Sequence, residues 1–387
     1  MTREIRFPPA PPFTVLLDPD DDAAIMRAAP AAHHLRSGRI TVHPTPGARS
    51  ATLAFDILAA LGKPPVLPGS WAGAGPPAWN IAGAWILTLP VTRLLLLRAH
   101  LLDAEGWQDL LTLRRRTGLH LVAVCHQSAM PAVMRAALRE VEHTCIPVHD
   151  PRAAEVLTPA PPTPPPNVRI DEGRWITLPS LAYLDYFPQA DFPSCRCTPR
   201  HTGHRTGRHR LALPEPSAYA LAQITHRLAT RTAHPQLTAA LATAVFTAAP
   251  ADQLASVHVG HLSADAATLA LHDPQGARPT PIGYGCTTYP VPPWARPFLK
   301  AAANVLLLSP PGAGEARLLA GLPRTRLSLT EFAEHCRMRP PQPAKPRPRR
   351  RSKRRAASPP RVRWFDGLVP DAYEYAAYER WLNPERQ

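Results

Sequence analysis

Apolar residues in this chain follow two rhythms. Residues 94–97 (LLLL) and 119–125 (LHLVAVC) are short apolar runs, the second with β-branched content. Between them the spacing turns helical. Asp103 stands where it caps a helix start, Trp107, Leu110, Leu111 and Leu113 form an apolar side, and Arg114, Arg115 and Arg116 lie near the C-terminal end. Continuous apolar strands joined by a helix predict a βαβ unit with both strands buried in a parallel sheet. A ligand of such a sheet binds at the carboxyl ends of its strands. Those ends carry Leu97-Arg98-Ala99-His100 and His126-Gln127.

The same reading extends outward. Residues 22–29 predict a short helix, 39–42 a short strand, and 51–61 an amphipathic helix with Leu53, Ile57, Leu58 and Leu61 on one side. Residues 62–90 are rich in Gly and Pro, contain Trp71, Trp79 and Trp85, and read as a loop packed over the sheet. A helix is expected over 130–143 and a strand over 145–148. The run TPAPPTPPPN, ending at Asn167, then reads as a stiff polyproline-type linker. Beyond an irregular aromatic stretch (168–194), helices are expected over 217–231 and 235–248, a Leu-rich segment over 254–262, a hairpin with strands 268–272 and 287–291, and a helix over 294–308.

Composition localises the charge. Of 387 residues 50 are Pro, and the net charge is +15. Residues 195–210 hold five Arg and no acid, and residues 337–363 hold twelve Arg or Lys and no acid, so the rest of the chain is near neutral. Six scattered Cys do not make a disulfide framework and fit a reducing compartment. The start of the chain has no secretory pattern, and the apolar stretch 81–91 is too short to span a bilayer before Arg93. A cytoplasmic protein without a membrane partner is the expectation.

The strand running into Leu97-Arg98-Ala99-His100 resembles the Walker B region of AAA-type P-loop ATPases, where the strand runs into Asp-Glu-Ala-His. Ala99 and His100 match, whereas Leu97 and Arg98 replace both carboxylates. About fifty residues earlier, HPTPGARS (43–50) connects a strand to a helix and has the length of a phosphate-cradling loop. His43 and Ala48 stand at its Gly positions, Arg49 at its Lys position, and Ser50 matches. The resemblance implies an α/β, P-loop-like parallel sheet domain over 36–157, with Gly47, Arg49, Ser50 and His100 as a degenerate nucleotide site and no catalytic residue. ATP hydrolysis is not expected.

Residues 216–335 run helix, Leu-rich segment ending in His261-Leu262, hairpin, Val-Pro-Pro, helix. This order is similar to the opening of a tyrosine-recombinase catalytic domain. The catalytic residues of that family are missing. Ala249-Pro250-Ala251-Asp252 stands where its first Arg lies, no Lys occupies the hairpin, and His335 is followed by Cys336-Arg337-Met338. Tyr373, Tyr375 and Tyr378 have no Arg set to hold a scissile phosphate, and read as packing of a terminal helix. The implied organisation is a Pro-rich and acidic N-terminal segment (1–35), the sheet domain (36–157), the linker (158–167), a mostly helical α+β DNA-binding domain (168–338), a disordered basic tail (339–363) and an aromatic C-terminal helix (364–387).

Two segments offer further chemistry. Cys195, Cys197, His201, His204 and His209 are zinc-type donors in a short span, although C-x-C replaces the commoner C-x-x-C. The competing reading is an Arg/His loop that touches phosphate. The nucleic-acid contacts expected from charge are Arg196, Arg200, Arg205, Arg208 and Arg210, with Lys345, Arg347, Arg349, Arg350, Arg351, Lys353, Arg354 and Arg355. Together these features imply a DNA-binding accessory or regulatory protein of a plasmid or mobile element, with a transposase or integrase as partner. The alternatives are an active ATPase with a non-standard nucleotide site, and an interaction protein whose tail binds RNA or an acidic partner.

Overall fold

The structure is a computed structural model. It describes residues 11–47, 50–64, 78–158, 169–184, 215–272, 287–309, 317–319 and 327–341. The N-terminal half is built on five parallel strands: β1 (Phe13–Leu17), β2 (Arg39–Val42), β3 (Arg93–Leu96), β4 (His120–Cys125) and β5 (His143–Pro147), in the order β2-β3-β4-β1-β5. Register pairs Thr14 with Val122 on one side of β1 and with Thr144 on the other. β1 was not expected from the sequence, because its five residues stand directly behind a Pro-rich segment. It lies inside the sheet, between β4 and β5, and its burial is nearly complete.

Side chains alternate across the sheet with the strand period of two. Val15, Leu94, Leu96, Leu121 and Ala123 face one layer, formed by α2 (Ser50–Ala60), α3 (Ala78–Thr88) and α4 (Ala104–Thr117). Leu16, Leu95, Leu97, Val122 and Val124 face the other, with α1 (Ala23–Ala31) and, past α5 (Ala132–Ala137), α6 (Pro151–Val156). Helical layers cover both faces of the inner strands, whereas Thr144, Cys145 and Pro147 of the edge strand β5 are exposed. α4 begins and ends as its residues dictate. Asp103 accepts from the Gly106 amide at 2.7 Å, and Gly118 closes the helix in the left-handed region.

Residues 78–88 depart from the loop expectation. α3 is a helix buried on nearly all sides, so its apolar residues show no one-sided stripe, and that hides it from a pattern reading. It packs against α10 (Arg296–Leu308) as well as α2 and α4. A Cβ on Gly83 would stand 2.8 Å from Leu308 Cδ1, so this glycine permits the close approach of α3 and α10.

The C-terminal half contributes α7 (Ala218–Thr230), α8 (Pro235–Thr247), the short α9 (Ala251–Ala255), α10 and α11 (Leu327–His335). Two small ribbons accompany them: parallel β6 (Ile176–Thr177) with β9 (Met338–Arg339), and antiparallel β7 (Thr268–Leu271) with β8 (Thr287–Pro290). The expected helices and hairpin strands lie within two residues of these bounds, although the expected helix over 130–143 shrinks to α5, with β5 starting at His143. One apolar core runs from the sheet through α3 into α8 and α10. No described helix is long and apolar enough to cross a membrane.

Candidate functional site

The carboxyl edge of the sheet is the place to look for a ligand. The connection from β1 leaves toward the β2 edge and the connection from β4 leaves toward β5, so their shared crevice is a topological switch point. β1 continues into Asp18, whose amide donates to the Cys125 carbonyl at 2.9 Å and extends the pairing with β4. The chain then turns through Asp20 and Asp21, with Asp21 at φ +48°, a left-handed conformation that Asp tolerates better than most residues. Asp22 caps α1, accepting from the Ala24 amide at 2.7 Å.

A helix that starts after a central strand presents free amides and a positive dipole end, a seat suited to phosphate. Here the chain's own carboxylates occupy it. Asp18 is fully buried, and the Asp22 amide donates to its two oxygens at 3.1 Å each. From β4 comes His126, whose Nδ1 lies 2.9 Å from Asp18 Oδ2 and 3.0 Å from Asp21 Oδ1. His100 completes the group from the turn after β3. The His126 amide approaches its Nδ1 at 3.4 Å, and the two rings meet edge to face with centroids 5.9 Å apart. Burial, then the proximity of His126 and Arg98, holds the His100 imidazole below its ordinary value, against a smaller opposing pull from Asp21. Arg98 is itself left-handed, at φ +49°.

The structure separates the residues grouped by the ATPase resemblance. Loop 43–50 follows β2, the edge strand, rather than the interior strand β1. Gly47 turns at φ +67° with open space around it. Ser50 is buried, donating to Asp109 and accepting from Trp79 Nε1 at 2.9 Å, so its hydroxyl is held by protein groups. Arg49 lies outside the described residues. Leu97 is 1% exposed and packs in the α1-side core, where a carboxylate would be desolvated. Of the described residues among them, only His100 joins the switch-point group. Asp18 and Asp21 read only as part of an acidic segment, because β1 was not expected; His126 stands at a predicted strand end, but nothing local in the sequence links it to Asp18, 108 positions away.

A second cluster forms around β6 and β9. Trp175, 38% exposed, is flanked by the guanidinium of Arg339 at 5.3 Å and that of Arg337 at 6.0 Å from its ring centre. Arg174 lies 5.9 Å from the Tyr219 ring, 40% exposed. None of these three arginines is in an ion pair with a described residue, whereas the neighbouring Arg231 is paired with Glu172 at 2.9 Å. An open groove of about 590 Å³ beside them is lined by Glu172, Trp175, Arg231, Glu334, His335 and Arg337. The platform is held from beneath by Arg227, 1% exposed, which donates to the carbonyls of Asp171, Arg174, Cys336 and Arg337 at 2.6 to 3.1 Å. Burial pushes the adjacent Cys336 thiol up to about 12, so it stays protonated.

The expected zinc donors Cys195, Cys197, His201, His204 and His209, the arginines from Arg196 to Arg210 and the basic residues from Lys345 to Arg355 lie outside the described residues. The chain matches no protein family, no curated protein and no solved structure.

Proposed function

We propose that this protein is a nucleic-acid-binding accessory or regulatory factor, acting on DNA, whose sheet domain has a P-loop-like outline without hydrolytic machinery. The observation that carries the reading is the platform of Arg174, Arg337 and Arg339 on Trp175 and Tyr219. Exposed aromatic rings flanked by guanidinium groups that form no ion pair among the described residues suit a polyanion that also offers bases to stack on. The basic tail begins at Arg339, and no acidic residue separates the platform's Arg337 and Arg339 from Lys345–Arg355 in the sequence. At the sheet, the acidic turn 18–22 argues against nucleotide phosphates. A role beside a transposase or integrase of a mobile element or plasmid follows from family-level analogy alone.

Equilibrium binding of full-length protein to unrelated duplexes, across a salt series, tests the reading. Counterion release makes log affinity fall with log salt at roughly −0.9 per phosphate contact, and five to eight contacts from the tail give a slope of about −4 to −7. Deleting 340–363 flattens that slope, and Arg174→Ala with Arg339→Ala weakens binding to all sequences alike. Affinity and slope unchanged in both variants would overturn the proposal. A preference for RNA or for acidic peptides over duplex DNA would favour the interaction-protein alternative.

A further inference from the structure

Asp18, Asp21 and His126 play no part in nucleic-acid binding as proposed above, and their arrangement stands on its own. They are the one group of three metal-type donors gathered among the described residues. Two carboxylate oxygens, Asp18 Oδ2 and Asp21 Oδ1, converge on the single atom His126 Nδ1 at 2.9 and 3.0 Å. A ring N–H points well at one acceptor only, so hydrogen bonding accounts for one of these approaches and leaves the other as two electron-rich atoms in contact.

Charge gives the same answer. Asp18 is fully buried, and no Lys or Arg pairs with it or with Asp21 among the described residues. Buried carboxylates are paired or bind metal. The His126 side chain is only 6% exposed, and its Nε2 is buried without a hydrogen-bond partner among the described residues.

We propose that Asp18, Asp21 and His126 Nδ1 bind one divalent transition-metal ion, which joins the carboxyl ends of β1 and β4. Metal–ligand bonds of about 2.1 Å place right-angled donors about 3.0 Å apart, and tetrahedral donors about 3.4 Å apart. The spacings of 2.9 and 3.0 Å therefore fit six-coordinate Mn²⁺ better than tetrahedral Zn²⁺. The Asp22 amide orients Asp18, and the exposed side of Asp21 leaves the remaining positions to water.

The test uses chelator-stripped full-length protein titrated with Mn²⁺, with free ion read by electron paramagnetic resonance, and in parallel with Zn²⁺. One saturable equivalent per chain is expected. Asp21→Asn, whose side chain is 57% exposed, should weaken binding at least about tenfold while the metal-free melting temperature stays put. Cys195→Ser with Cys197→Ser should leave this equivalent intact, which separates it from the zinc donors expected further along the chain. His126→Ala is the second arm; if it fails to fold, Asp21→Asn decides alone. No saturable binding of either ion up to about millimolar, a level typical of weak oxygen-donor sites, or binding indifferent to Asp21→Asn, overturns the assignment.

Discussion

Lys63 and Trp85 act as a pair across the middle of the molecule. Lys63 Nζ lies 3.7 Å from the centre of the Trp85 ring, and both side chains donate into the stretch that ends α7, Lys63 to the Ala229 carbonyl at 2.6 Å and Trp85 Nε1 to the Ala233 carbonyl at 2.7 Å. Both are buried, so each unpaired carbonyl would be felt in full. Trp85→Phe keeps the ring but removes the N–H. Chemical denaturation should show a loss of about 1–3 kcal/mol, the desolvation penalty of one unmatched acceptor.

The Lys63 amine also sets a pH dependence. Burial lowers it from 10.5 to about 7. Between those values the unfolded chain holds a proton that the folded chain has released, so stability rises with pH across that window and its contribution disappears below pH 7. The slope is up to about 1.4 kcal/mol per pH unit, less whatever the Trp85 ring face returns to the charged form. Denaturant midpoints measured from pH 7 to 9 should rise in the native protein relative to Lys63→Met, which has no group to titrate. Parallel curves would show that the amine stays charged.

His234 works in the acid range. It caps α8, accepting from the Leu237 amide at 3.3 Å, and burial lowers its imidazole from 6.5 to about 4. The unfolded chain takes up a proton below pH 6.5 that the folded chain refuses until about pH 4, so stability is full above 6.5 and falls through this interval by up to about 3 kcal/mol. His234→Asn keeps a capping oxygen and removes the titration. Its acid unfolding midpoint should move to lower pH, as followed by far-ultraviolet circular dichroism.

Arg227 links stability to the platform. Its guanidinium serves four backbone carbonyls, a task that the single ammonium of Lys cannot span. Arg227→Lys should destabilise by about 3–5 kcal/mol, as for other buried charged networks that lose a partner. Because two of those carbonyls belong to Arg174 and Arg337, the variant should also blunt the quenching of Trp175 fluorescence by added DNA. A variant with native melting temperature and native quenching would remove Arg227 from this role.

Phosphate release from Mg²⁺-ATP should stay at background. The acidic turn 18–22 fills the seat after β1, and Leu97 and Arg98 replace the carboxylates expected after β3. Leu97→Asp with Arg98→Glu should not restore activity, and Asp in place of a core Leu should lower stability by several kcal/mol. Turnover of order one per second or faster in the native protein would contradict this.

Local pattern was enough for much of the architecture. β2, β3, β4, α4 and α7 announced themselves as short apolar runs or as apolar stripes at the helical period, with Asp103 marking the start of α4; α8 was expected from the same kind of stripe although it is buried on nearly every side. β1 and α3 did not. A five-residue strand behind prolines and a helix apolar on every side carry no distinguishing period, and only their neighbours in space define them. The switch-point group failed for the same reason. Asp18 and His126 lie at the ends of two strands that are distant in sequence, and the order β2-β3-β4-β1-β5, a property of pairing across the whole chain, brings them to 2.9 Å. Charge segregation, by contrast, is a matter of composition alone: the basic residues after Arg339 were legible without any fold, whereas the seating of Arg337 and Arg339 on Trp175 depends on the parallel pairing of β6 with β9.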